Sequence, residues 1–291
     1  MAKRTVHTLS FLTLALGVVA ASAGVFIHKG GAPYDFVNQY GDKVEIYGKG
    51  LYAHDSTFKA PIFRGTDLSM LFVACPLFFA ALMYDFRNGT LKSRLQLTSL
   101  IACFFYYAAG IALGVAYNAL HLVYIALFSV SLYGLVAAMT SIDRYRLVRS
   151  VLPEFPLRGM YVFLFLTGLA LFGAWLPDIM QAFRLGRPLL LIETYTTEIT
   201  YVLDMGLVAP AAFICIYLLK KRAGLGYILL DIFLTLCLLM GIMLPVQTLF
   251  QFGAGIEIPP AALAVKMGVF CLLAVWAALL KWNYYKNMRD L

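Results

Sequence analysis

The chain has 291 residues, 62% of them hydrophobic and only 13% charged, with a mean hydropathy of +0.82 and a formal net charge of +8. A soluble domain carries about 25% charged residues, so a water-soluble globular fold is excluded. Apolar windows of about 20 residues recur along the chain, the length a helix needs to cross a ~30 Å hydrocarbon core, and they are continuous, whereas a membrane barrel alternates over segments of about ten residues.

In chain order, "MAKRTVH" and the apolar run after it have the basic start and the Ala21-Ser22-Ala23 end of a secretory signal. The run continues through Val25, Phe26 and Ile27 and is long enough to span, so a retained first helix at 8–27 is expected. The segment 28–66 is then the longest loop. Its runs Val44–Tyr47 and Leu51–His54, around Gly48-Lys49-Gly50, predict a β-hairpin. Gly48-Lys49 lacks the spacing of a phosphate loop.

Seven more spans are predicted at 67–86, 95–118, 119–141, 159–177, 196–219, 225–248 and 259–281. The third and fourth spans of the resulting eight join around Tyr117-Asn118 as an antiparallel pair. Pro76, Pro210 and Pro245 each remove a helix hydrogen bond inside a span and tend to kink it. Gly110 and Gly114 have GxxxG spacing, a close-packing signal. The fold expected is an all-α polytopic bundle of eight helices, one integral membrane domain over 1–291 with a small loop element at 28–66.

Basic residues fall into the flanks of these spans. One set (Lys3, Arg4; Arg87, Lys92, Arg94; Arg144, Arg146, Arg149, Arg158; Lys220, Lys221, Arg222; Lys281, Lys286, Arg289) numbers 15, and the opposite set (Lys29, Lys43, Lys49, Lys59, Arg64, Arg184, Arg187) numbers 7. Clustering beside apolar runs is the pattern of membrane orientation rather than of nucleic-acid binding, and the excess marks the cytoplasmic side. Both termini are then expected in the cytoplasm of a cell-membrane protein, with 28–66 outside.

Lys266 is the remaining basic residue and lies inside the last span, about seven residues past Pro259, or roughly 10 Å along a helix. Intramembrane charges are costly and face protein or water. In "IETYTTEITYVLDMGLVAP", Glu193, Thr197, Thr200 and Asp204 are spaced 4, 3 and 4, a polar stripe if the segment is helical. Asp204 and Lys266 fall in the same outer half, so a pairing across the bundle is expected, with a snorkelling lysine as the alternative. Asp67, Tyr117, Asn118, His121, Tyr124, Gln247 and Gln251 lie at comparable heights. An outward-facing ligand pocket would draw on Asp204, Lys266, Glu193, Thr197, Thr200, Asp67, Gln247 and His121. Asp231, near the other end of its span, is expected to pair with Lys220, Lys221 or Arg222.

Cofactor chemistry finds no support in the pattern. Cys75, Cys103, Cys215, Cys237 and Cys271 all sit in apolar runs without CxxC or Cys/His spacing, and His121 is the one histidine placed within the membrane, too few for paired haem ligation. No HExxH or GxSxG occurs. The stretches "RGTDL", "YNALHLVYIALFSVSL" and "ETYTTEITYVLDMGLVAP" resemble parts of uncharacterised bacterial multi-pass membrane proteins. That resemblance implies membrane location and carries no activity. The leading expectation is binding or transport of a small solute, ion or proton beside Asp204 and Lys266. The alternatives are a membrane enzyme acting on a lipid or lipid-linked substrate through His54, Asp55 and Asp67, and a non-catalytic subunit docking a membrane-protein partner.

Overall fold

The structure, a computed structural model, describes residues 2–152 and 155–289, with the side chains of residues 2, 262, 265 and 266 outside that description. Among the described residues the helices are α1 (Ala2–Phe26), α2 (Lys59–Asn88), α3 (Leu91–Gly114), α4 (His121–Ser141), α5 (Arg144–Ser150), α6 (Leu157–Leu185), α7 (Ile199–Lys220), α8 (Gly224–Gly253) and α9 (260–286). Seven of them, α1–α4 and α6–α8, are long and apolar enough to cross a membrane. The fold is a polytopic transmembrane helix bundle, and α9 is the helix expected at 259–281. On α9 the face Leu272, Val275, Leu279 and Trp282 is exposed while Leu273, Ala277, Leu280 and Tyr284 are buried. An uncovered apolar stripe of that kind is a surface for lipid.

Two apolar cores divide the bundle. One is built from α1–α4 and the other from α6–α9, and α8 contributes to both through Leu239 and Met243 in the first and Leu234 and Cys237 in the second. Helices α3 and α8 are the most enclosed spans and pack on each other. Helix α3 tolerates burial on all sides because its hydroxyls find acceptors within the helix or on its neighbours. Thr98 Oγ1 donates to Arg94 O at 2.7 Å and Ser99 Oγ to Leu95 O at 3.0 Å.

The ends of the helices are set by ordinary capping. Gly89 closes α2 in the left-handed region (φ 58°), and the Thr90 side chain caps α3 by accepting from Ser93 N at 3.1 Å. Asp143 caps α5 in the same way, accepting from Tyr145 N and Arg146 N. The start of α1 and the end of α9 lie at one end of the bundle. There His7 bonds Asp85 at 2.8 Å, Arg94 reaches Ser141 at 3.2 Å, and Leu152 N donates to Asn287 O at 3.0 Å.

The opposite end carries the sheet element, whose register differs from the expectation. Strands β1 (Tyr34–Val37) and β2 (Lys43–Ile46) pair antiparallel across a turn in which Asn38 Oδ1 accepts from Tyr40 N and Asp42 N. The run at Val44–Tyr47 therefore falls in β2 up to Ile46, but Gly50–Tyr52 form a single 3₁₀ turn, and the returning chain meets β2 through the Ile46–Ser56 bridge and a Thr57 N to Glu45 O bond of 3.0 Å. An Asx turn at Asn38 outcompetes the glycine pair as the hairpin loop.

The prolines also act more specifically than expected. A five-residue π-turn, Met70–Ala74, stands just before Pro76, and another, Asp204–Val208, just before Pro210. A proline supplies no N–H and crowds the carbonyl four residues back; the widened turn shifts the bonding to i→i+5, as in Cys75 N to Met70 O and Ala209 N to Asp204 O. Pro245 stays inside the continuous α8. The GxxxG pair is not one contact face: a side chain at Gly114 would run into Ile199 of α7, whereas Gly110 faces open space.

Candidate functional site

Polar groups in the hairpin half of the bundle fall into three connected sets. In the first, Asp67 of α2 is fully buried and accepts from Tyr52 OH and, at 2.6 Å, from Tyr107 OH. Gly24 of α1 packs directly on this carboxylate, because a Cβ there would overlap Asp67 Oδ2. Gln247 of α8 donates to Thr66 Oγ1 at 2.7 Å beside it, a contact permitted by Gly65, whose Cβ would lie 2.7 Å from the Gln247 backbone.

The second set surrounds Asp204, which opens the α7 π-turn and is 6% exposed. One carboxylate oxygen accepts from Tyr106 OH at 2.7 Å and the other from Trp175 Nε1 at 2.8 Å. Tyr106 and Tyr107 are consecutive on α3, so this helix sends one hydroxyl to each of two buried aspartates, Asp204 heading its widened turn and Asp67 three residues before its own. Trp175 stacks on Tyr201, centroids 4.7 Å apart, and Tyr201 OH donates to Asp178 at 2.8 Å. Asp178 and Tyr201 line an open cleft of about 270 Å³ with Gln181, Arg187 and the leucines at 189–191. Asp204 thus lies one aromatic layer behind a solvent-reached wall.

The third set ties the loops over the bundle end. Asp55 Oδ1 accepts from Ala116 N at 2.9 Å and Tyr195 OH at 2.8 Å, while its Oδ2 has no hydrogen-bond partner among the described residues. Ser56 Oγ donates to Glu193, and Lys59 pairs with Glu198 while lying 4.2 Å from the Tyr195 ring centroid. Glu193 itself has φ 50° and its carbonyl accepts from Asn38 Nδ2 at 2.8 Å. Burial raises the Asp55 carboxyl to about 7, outweighing the Ala116 and Tyr195 hydrogen bonds and the nearby Lys59 ammonium. Burial raises Glu193 in the same direction.

That shift fixes a pH dependence. A carboxyl whose folded pKa exceeds its unfolded value near 3.9 stabilises the fold fully below that value and loses the contribution as pH rises through about 7. The slope is up to about 1.4 kcal/mol per pH unit for one group. Thermal unfolding of the detergent-purified protein is expected to weaken by roughly 2–3 kcal/mol from pH 5 to 7.5, and Asp55→Asn flattens the curve. A variant that keeps the full wild-type slope would remove Asp55 as its source.

Several expected site residues are separated by this geometry. The stripe from Glu193 to Asp204 is broken, because the helix starts only at Ile199 and 186–198 is a loop. Glu193 joins the loop set, Thr197 is exposed, and only Thr200 and Asp204 share helical phase. His121 lies against the exposed Tyr117, with ring centroids 5.3 Å apart and the planes tilted by 53°. Gln251 is buried and donates to Phe58 O at 3.4 Å, and Tyr124 OH accepts from Asn118 at 3.4 Å. The Lys266 side chain lies outside the described residues, and with it the expected pairing to Asp204, whose two oxygens are bonded by Tyr106 and Trp175. His54 is exposed while Asp55 is buried, so these neighbours do not face a common groove.

Asp231 corrects another expectation. Its partner is Lys281 of α9 at 2.7 Å, joined by Tyr285 OH at 3.0 Å and Ser99 Oγ, and Lys281 also donates to Thr235 Oγ1 at 2.6 Å. Lys220 and Lys221 instead lie 6.0 Å from the rings of Tyr161 and Tyr217. Among the described residues no group of three or more His, Cys, Asp or Glu side chains is arranged to hold a metal. No protein-family model, curated protein or solved structure matches the chain.

Proposed function

We propose that the protein binds a small polar solute carrying a positive charge at the cleft between α6 and α7, and moves it with a proton taken up at Asp204. Asp204 carries the reading: a buried intramembrane carboxylate bonded, among the described residues, by two neutral donors, Tyr106 and Trp175. Ionisable groups at such depth mark ion and proton pathways, and irregular helix beside a cavity is a recurrent feature of transporters. Asp178 gives the cleft an acidic wall, with Gln181 and Tyr201 as further hydrogen-bonding groups. Arg187 is 3.4 Å from Asp42, which draws its charge out of the cleft. The excess of basic residues at the end bearing the start of α1 and the end of α9 supports a cytoplasmic location for that end, with the cleft open to the outside.

The test is a thermal-shift screen of purified protein against amines, amino acids, sugars and monovalent cations at pH 5.5 and 8. A compound at 100 times its dissociation constant adds about 2.7 kcal/mol of stability, a shift of several degrees. The expected pattern is a shift lost in Asp178→Asn and made independent of pH in Asp204→Asn. If no compound stabilises wild type more than Asp178→Asn, the reading fails. A membrane-impermeant maleimide should label Lys49→Cys but not Lys92→Cys in intact cells; the reverse would invert the orientation.

A further inference from the structure

A second and larger cleft, about 670 Å³, runs along one face of α6 and is lined by Leu169, Phe172, Leu176 and Met180 before ending at Gln181 and Arg184. The lining residues recur every three to four positions, so the groove follows the helix axis. From Leu169 to Met180 it is about 16 Å long at 1.5 Å per residue, close to the ~15 Å depth of one leaflet's hydrocarbon. Its polar end lies in the last turn of α6, at the hairpin end, where Phe183 and Leu185 are exposed on either side of Arg184. Arg184 is itself exposed, and among the described residues no carboxylate lies within ion-pair distance of it. The nearest acids by sequence are otherwise engaged, Asp178 accepting from Tyr201 and Glu193 from Ser56.

We propose that this groove is a binding site for an anionic phospholipid. One acyl chain lies along Leu169, Phe172, Leu176 and Met180, and the phosphate is taken by the Arg184 guanidinium with Gln181 beside it. The match is one of charge and length. A guanidinium presents a planar fork of donors suited to phosphate oxygens, and an open apolar face of α6, one leaflet long, leads away from it. A zwitterionic lipid covers this face equally well but brings its own ammonium to Arg184. The site therefore selects by headgroup charge. It shares Gln181 with the solute cleft but needs neither Asp178 nor Asp204, so the two readings fail separately.

The experiment uses the full chain purified in detergent, with phosphatidylglycerol or phosphatidylcholine of the same acyl chains added at equal mole fraction, read by thermal unfolding. Phosphatidylglycerol is expected to raise the midpoint by several degrees more than phosphatidylcholine. Arg184→Gln should abolish that difference while Arg184→Lys retains part of it. Gly173→Phe places a ring across this face from a position where a side chain meets nothing within 4 Å, and should lose the response to both lipids. Arg158→Gln, at the far end of the same helix, should behave as wild type. Equal shifts by the two lipids in wild type, or an intact difference in Arg184→Gln, overturn the proposal. So does an equal shift by soluble glycerol 3-phosphate, which would mean that the apolar face is not used.

Discussion

Lys281→Met is expected to be among the most destabilising single substitutions in the protein, costing roughly 3–5 kcal/mol. The Asp231 side chain is fully buried between α3, α8 and α9, and the Lys281 ammonium at 2.7 Å is the cation that compensates it. Removing the lysine leaves a carboxylate whose remaining donors, Ser99 and Tyr285, are neutral. Asp231→Asn is also costly, since Lys281 is then left with amide and hydroxyl acceptors in an apolar wall. The double variant Asp231→Asn with Lys281→Met should recover much of the loss, because a buried ion pair exchanged for uncharged groups is often near neutral. Unfolding in mixed detergent micelles gives the cycle, and a coupling of about 3 kcal/mol or more is expected, the two single costs less what remains in the double variant. Glutamine at Lys220, Lys221 and Arg222 together should change stability little, which separates this pairing from one made at the helix ends. A Lys281→Met protein as stable as wild type would show that Asp231 is held without its ammonium.

The placement of Lys281 shows where sequence reading stops. Composition and apolar run length carry the existence and order of the long helices, because those depend on one-dimensional quantities, whereas the short α5 is not foreseen from them. Lys281 was legible only as one of a cluster of basic residues after the last span, and nothing local distinguishes it from Lys286. It becomes a core residue because α9 stays helical to position 286 and presents it to Asp231. Phase was the other weak point. The 4-3-4 spacing from Glu193 to Asp204 fits a helix, yet residues 193–198 are held by side-chain contacts to Asn38, Ser56 and Lys59, all more than 130 residues away in the chain. Long-range bonding of that kind overrides periodicity and leaves no local trace. The tyrosines were the signal available but unused. A Tyr hydroxyl in the middle of an apolar helix needs a partner, and "FFYYAAG" in α3 places two in succession, one for Asp204 and one for Asp67.

That paired arrangement links α3 to two of the helices that carry a π-turn; a third such turn, Ala264–Gly268, lies in α9. In α2 the aspartate stands three residues before the π-turn Met70–Ala74, and in α7 it is the first residue of the π-turn Asp204–Val208. Each of these two turns is followed within two residues by a proline. A helix without its regular bonding at that point has backbone groups less strongly committed than those of a continuous span. A change in either carboxylate therefore acts where the helix is easiest to deform. Asp204 faces the cleft side and Asp67 the α1 side, so the two are not equivalent: Asp67 has Gly24 and Tyr52 packed over it, and Asp204 has the Trp175–Tyr201 stack and then the cleft.

Gly24→Ala tests the closed side of this arrangement, and a loss of roughly 2–4 kcal/mol is expected, in the range of overpacking and of disturbed buried polar groups. The new methyl group would overlap Asp67 Oδ2 and lie 3.0 Å from Tyr52 OH. The carboxylate cannot swing aside cheaply, because Tyr52 and Tyr107 both donate to it in a fully buried site. Either α1 moves off α2 or one of these hydrogen bonds is lost. Asp67→Ala by itself is also destabilising, leaving two buried phenol hydroxyls without their acceptor. In the Asp67→Ala background the space beside Gly24 is free, so Gly24→Ala should then cost less than 1 kcal/mol. The cycle is thus strongly non-additive, with a coupling above about 1 kcal/mol. Equal costs of Gly24→Ala in the two backgrounds would mean that the methyl group strains something other than the carboxylate, and the packing of α1 over Asp67 would have to be redrawn.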